Sequence, residues 1–129
     1  MAEGAAKSLY ERLGGYDAIA AATDDLLRRV YSDPQIGSYW KGHSKDSLRT
    51  ERQLVVDFLA AAFGGPVLYR GRDMKTSHAG LGITESEWQT NLKYTSAALD
   101  KFNIPEKEQQ DFVDIFLRYK QEVVENPAS

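Results

Sequence analysis

The sequence predicts an all-α domain. Three features carry that prediction. Apolar residues recur at three- and four-residue steps along most of the chain, no segment alternates with the period of two that a half-buried strand needs, and all four prolines fall where helices would start or stop. Length and composition agree with it, since 129 residues suit one domain and a 42% hydrophobic, 11% aromatic chain can bury a single core. The domain is expected over residues 8–125, with 1–7 and 126–129 as flexible termini.

Leu9 and Leu13 mark a short first helix that Gly14 and Gly15 stop. Residues 16–31 place Ile19, Ala22, Leu26 and Val30 on one helical stripe, and Asp33-Pro34 ends it because the residue before proline avoids the helical region. Residues 36–47 read as irregular and polar. A second long helix is expected over 47–63, with Leu54, Val55, Phe58, Leu59 and Ala62 on one face and Gly64-Gly65-Pro66 as its stop signal. Residues 67–74 read as a connector. Thr84-Glu85-Ser86-Glu87 fits a capping box before a stripe of Trp88, Leu92, Thr95, Leu99 and Phe102. Pro105 suits the first turn of a last helix whose buried face is Phe112, Ile115, Phe116, Tyr119 and Val123. The prediction is therefore four substantial helices with short additional turns.

Charge and residue types exclude several function classes. Lys and Arg total 16 against 19 Asp and Glu, a net charge of -3, which lacks the basic balance of a nucleic-acid partner. Apolar runs are too short to span a bilayer, and no charged-then-apolar leader follows Met1, so a cytoplasmic setting is expected. Without cysteine there is no disulfide, zinc–thiolate site, iron–sulfur cluster or thiol nucleophile. With only His43 and His78, no multi-histidine metal site can form. No serine or threonine stands beside a base as a nucleophile, and the glycines form no phosphate-binding loop, so no catalytic residue is assigned.

His78 lies between two helices with glycines nearby; it reads either as a surface or capping residue or as a metal ligand. One imidazole cannot hold zinc, but it can be the axial ligand of haem, where the porphyrin supplies the equatorial nitrogens. His43, in the polar stretch Lys41-Gly42-His43-Ser44, reads either as solvated or as a distal residue that meets the iron or its ligand.

The ordered set of motifs is similar to one family. Leu9-Tyr10-Glu11-Arg12-Leu13-Gly14-Gly15 with Ala18-Ile19, then Arg29-Val30 and Asp33-Pro34-Gln35-Ile36, resemble the opening of truncated (two-over-two) globins. Tyr39-Trp40 stands where that family has paired phenylalanines. Phe58-Leu59, Phe63-Gly64-Gly65-Pro66, Tyr69-Arg70-Gly71-Arg72-Asp73-Met74, His78 and Gly80-Leu81-Gly82-Ile83-Thr84 with Trp88 continue the match, which is closest to the first group of the family.

The resemblance implies a two-over-two helical sandwich around haem b, with His78 as the proximal iron ligand and its other ring nitrogen held by a main-chain oxygen near Met74. It places Trp40, Leu54, Phe58, Leu59, Met74, Ile83 and Trp88 around the porphyrin, and Tyr69, Arg72 and Lys75 as partners of its propionates. On the distal side the family's ligand-donating tyrosine maps to Leu27 and its frequent glutamine to Val55, with Glu51 one turn earlier. Tyr31, His43 and Asn91 are the remaining distal donors.

The implied function is reversible binding of dioxygen, carbon monoxide and nitric oxide, with oxygen transport among its uses. Nitric-oxide dioxygenation, which would require a reductase partner, is an additional activity that the resemblance suggests. A six-coordinate electron-transfer or redox-sensing protein with His43 as second axial ligand is the alternative, and a cofactor-free helical interaction module is a third reading. Oligomeric state is not readable from the chain.

Overall fold

The computed structural model describes residues 7–127; the termini expected to fray thus lie largely outside the described residues. Seven helices follow in order: α1 (Leu9–Arg12), α2 (Tyr16–Tyr31), α3 (Lys45–Ala62), α4 (Met74–His78), α5 (Glu85–Lys101), α6 (Glu106–Leu117) and α7 (Lys120–Val123). A 3₁₀ helix, Ile36–Trp40, joins α2 to α3. Among the described residues there is no strand, only an isolated bridge between Thr84 and Asn126. The four substantial helices of the sequence reading are α2, α3, α5 and α6.

Local chemistry explains most boundaries. Ser8 and Glu11 form a capping box on α1, and Thr84 and Glu87 form the one expected on α5. Ser44, whose hydroxyl accepts from the Ser47 amide at 3.0 Å, starts α3 earlier than the sequence suggested. Two expectations differ further. The stretch 36–47, read as irregular, contains the 3₁₀ helix, which buries Ile36. The last helix, read as continuous, divides at Arg118 and Tyr119. There the amides of both residues turn to carbonyls three residues back, at 3.1 and 3.0 Å, a tightening that no proline or glycine announces. Pro105 caps α6 from just outside it.

α2 packs against both α3 and α5 and is the centre of the fold. One core cluster joins α1, α2, α3, α5 and α6 through residues such as Leu13, Ile19, Val56, Phe63, Leu99 and Phe112. The Phe63 and Phe112 rings lie 4.6 Å apart. A second cluster of Leu26, Leu27, Val30, Ile36 and Ala98 lies toward the far end of α2. Gly65 is required by contact, because a Cβ there would lie 2.3 Å from the Tyr10 ring that closes the end of α3. Asp25, only 3% exposed, ties α2 to α5: it accepts from Arg29 at 2.7 Å and Lys101 at 3.1 Å, and also from Arg28. Burial pushes its carboxyl upward, but these cationic donors override that and bring it down to about 2.

α3 carries two apolar faces rather than one. Val56, Leu59 and Ala60 are buried in the core, whereas Leu54, Val55 and Phe58 are half-buried and face a cavity. No described helix is long and apolar enough to cross a membrane.

Candidate functional site

A cavity of about 760 Å³ lies between α2, α3, α4, α5 and the α6–α7 corner, within the size range of cofactor pockets. Its α2–α3 wall is Leu26, Leu27, Val30, Leu54, Val55 and Phe58, closed at one end by Tyr39 and Trp40 of the 3₁₀ helix. Met74, Ser77 and His78 of α4 form the opposite wall, and Trp88 and Asn91 of α5 with Phe116, Tyr119 and Val123 close the base. Aromatic edges hold these walls together: Phe58 meets Tyr69 at 5.3 Å and Tyr119 at 5.0 Å, and Trp88 stacks on Phe116 at 5.4 Å.

His78 is the one imidazole in the interior of this wall; His43 is exposed at the rim, its Nδ1 2.9 Å from the Ser47 hydroxyl. The Nδ1 of His78 lies 2.9 Å from the main-chain oxygen of Met74, one turn back on α4. A carbonyl can only accept, so Nδ1 carries the proton and Nε2 keeps its lone pair. The Ser77 hydroxyl, 2.9 Å from the same nitrogen and 3.2 Å from the same carbonyl, completes the arrangement. Asp73 starts α4 by accepting from the Thr76 amide at 2.9 Å, and its carboxyl is held below its ordinary value by hydrogen bonds from the Thr76 side chain and amide.

Polar side chains gather toward the rim and α5, among them Tyr39, Ser47, Thr50, Glu51, Glu87 and Asn91, and several are paired with one another. The Trp40 indole N–H donates to the Glu51 carboxylate at 2.5 Å. Tyr39 donates to Glu87 at 2.7 Å; burial, reinforced by that carboxylate, pushes its hydroxyl up to about 12. Among the described residues, the Tyr31 hydroxyl and the Trp88 indole nitrogen are buried without a hydrogen-bond partner. Burial and the nearby Glu51 charge raise Tyr31 to about 12.

A cavity of this size offering one imidazole lone pair inside an all-helical shell is the arrangement of a globin. The sequence matches the bacterial-like globin family over residues 8–125. It is 30% identical to a group 1 truncated haemoglobin of Chlamydomonas moewusii over 93% of this chain and 70% of that protein. It is 33% identical to the group 1 truncated haemoglobin GlbN of Mycolicibacterium paratuberculosis over 76% of this chain and 70% of that one. The chain belongs to the group 1 truncated globins. The fold superimposes on the crystal structure of the truncated haemoglobin of Tetrahymena pyriformis in its Fe(III) form with a TM-score of 0.84, at 21% identity over 92% of this chain and 98% of that one. The globin family binds haem, and the lining of this truncated globin fits one: the half-buried imidazole of His78, apolar side chains from α2 and α3 facing it, and about 760 Å³ of space.

The truncated globin brings most of the predicted site residues together. His78, Trp40, Leu54, Phe58, Leu59, Tyr69, Arg72, Met74, Ile83 and Trp88 all line the cavity, as do Leu27, Glu51, Val55, Asn91 and, at the rim, His43. Two do not. Lys75 is exposed, because α4 turns positions 74, 77 and 78 inward and leaves 75 on the outer face. Tyr31 is not among the lining residues either; its ring meets Trp40 edge-on at 5.0 Å, and its buried hydroxyl has no partner among the described residues. The sequence reading missed Ser77, Tyr39 and Glu87 as site residues and favoured core packing for Phe116, Tyr119 and Val123, with pocket lining as the alternative for the aromatic stripe. Ser77 was detectable from its place three residues after Met74; for the last three, core-facing and cavity-facing stripes have the same apolar period.

Proposed function

We propose that this truncated globin binds haem b with His78 as the proximal ligand and reversibly takes up diatomic gases. The observation that supports the reading most strongly is the Met74 main-chain oxygen 2.9 Å from His78 Nδ1. It selects the tautomer whose Nε2 lone pair faces a metal and increases the basicity of that nitrogen. Haem, when bound, supplies an iron with one open position for a small ligand. The chain's own part is to hold the imidazole, exclude water with Leu54, Val55 and Phe58, and offer the Arg72 side chain to anionic groups at the rim, where the Tyr69 hydroxyl is already donated to the Arg72 main-chain oxygen.

Leu27 and Val55 present no donor to a bound gas. A hydrogen bond of that kind contributes about 1–2 kcal/mol, roughly tenfold in affinity. Fast oxygen release with carbon monoxide less affected is the expected behaviour, and simple ligand binding is therefore the primary function, ahead of nitric-oxide dioxygenation. Asn91 is the cavity-lining side chain whose amide is the nearest substitute donor in kind.

The test is the ferrous absorption spectrum of the purified protein with and without carbon monoxide. Wild type should show a Soret band that shifts on carbon monoxide, and His78→Ala should lose it. A spectrum indifferent to His78→Ala sinks the assignment. His43→Ala should leave the ferrous spectrum unchanged; conversion from a low-spin to a five-coordinate form would instead establish His43 as a second axial ligand.

A further inference from the structure

α4 carries His78 yet fully buries none of its five residues: Met74, Ser77 and His78 are half-buried and its packing neighbour is the short α7, so directional bonds matter more here than in the long helices. The helix start is held by Asp73. What holds its other end is the C-terminal segment, residues 124–126, which crosses the loop leading out of α4. The Glu125 carboxylate is received by two main-chain amides of that loop: Gly80 N–H donates to one oxygen at 3.1 Å and Gly82 N–H to the other at 2.7 Å. Both glycines have positive φ, 83° and 69°, the backbone geometry that turns successive amides toward one anion. Leu81, between them, sends its amide back to the His78 carbonyl at 3.2 Å, which links the loop directly to the histidine's own main chain.

The same segment is tied reciprocally. The Glu125 and Asn126 amides both donate to the Ile83 carbonyl, at 2.9 and 3.1 Å, and the Asn126 side chain donates to the Gly82 carbonyl at 3.0 Å. The tail expected from sequence to fray at residue 126 is therefore bonded in place. Lys120 at the start of α7 adds an ion pair with Glu85, 2.8 Å, just past the loop. A carboxylate accepting two main-chain amides makes charge-assisted hydrogen bonds of fixed direction, which a mobile surface ion pair does not.

We propose that Glu125 is a positioning residue for the proximal histidine: through the Gly80–Gly82 amides it fixes where α4 ends and hence the direction of the His78 ring. The proposal rests on His78 being the haem ligand. It assigns the C-terminal hook a role in cofactor retention rather than in general stability alone.

The experiment uses the full-length haem-loaded protein and the variants Glu125→Ala and Glu125→Gln. Two controls are Glu122→Ala, on α7 but outside the hook, and Arg12→Ala, which severs the α1–α6 ion pairs at 2.7 and 2.8 Å far along the chain. Readouts are the iron–imidazole stretching band of the ferrous protein, the rate of haem loss to an excess scavenger apoglobin, and hydrogen exchange at Gly80 and Gly82. Glu125→Ala should shift or broaden the stretching band, expose both amides and speed haem loss roughly tenfold or more, the usual scale for partners behind a metal ligand. Glu125→Gln, which keeps one acceptor oxygen, should fall between it and wild type, and both controls should keep the wild-type band. An unchanged band in Glu125→Ala, or an equal change in Arg12→Ala, overturns the positioning role while leaving the haem assignment standing. A wild-type protein without a Soret band overturns both.

Discussion

On the α4 side of the cavity, His78 rides on a five-residue helix with no buried residue, held by main-chain oxygens and amides. On the facing side, Leu27, Glu51 and Val55 ride on helices of 16 and 18 residues whose other faces fill the core. The first wall relies on hydrogen bonds more than on burial, the second on packing more than on hydrogen bonds. A wall fixed by packing behind it can change its cavity-facing side chains without moving, so ligand chemistry can vary there. A wall fixed by directional bonds holds one imidazole accurately and is sensitive to any change in those bonds.

The largest test of that contrast removes the rear anchor of the packed wall. Asp25→Ala leaves the partly to largely exposed Arg28, Arg29 and Lys101 without their buried partner and should cost about 2 kcal/mol, read as a lower unfolding midpoint. The wild-type carboxyl has a folded value of about 2, below its ordinary 3.8. Its contribution is therefore complete above pH about 4 and disappears as pH falls through about 2. Acid titrations of wild type and variant should converge in that window; parallel curves down to the lowest pH would assign no role to this cluster.

Leu27→Tyr comes next. Leu27 belongs to the second core cluster and also lines the cavity, so the larger ring must extend into the cavity; its hydroxyl there should slow oxygen release about tenfold with little effect on carbon monoxide. If the wall moves instead, the two gases will change together. Asp73→Ala, on the bonded wall, removes the acceptor for the Thr76 amide and should speed haem loss a few-fold while leaving gas discrimination alone. The smallest effect belongs to Glu51→Gln. The amide oxygen still accepts from Trp40, but the charge that helps burial hold Tyr31 near 12 is gone. The phenolate absorbance of Tyr31 should appear at lower pH, and an unmoved titration would leave burial as its sole cause.

Helical periodicity made one apolar face of α3 legible, Leu54, Val55, Phe58, Leu59 and Ala62, and the family resemblance set its members against the cofactor; Leu54, Val55, Phe58 and Leu59 line the cavity. Lys75, named for its sequence proximity to His78, and Tyr31, named as one turn beyond Leu27, are not among the lining residues. His78 and its Met74 partner were legible because an imidazole bonding one turn back is a local event. The Glu125 hook was not, since it joins residues more than forty positions apart through main-chain amides that have no residue signature.

By itself the chain determined its helices, their caps at Ser8 and Thr84, the scarcity of imidazoles and the turn that sets Nδ1 of His78 against the Met74 main-chain oxygen. These are short-range consequences of backbone geometry and side-chain donors. Only the tertiary structure decided which apolar stripes close the core and which line the cavity, that α3 serves both, and that the C-terminal residues return to hold the proximal loop. The physical reason is that apolar burial is non-directional: periodicity says that a face is covered but not by what, and a bond between distant amides and carboxylates exists only once packing has brought the two segments together.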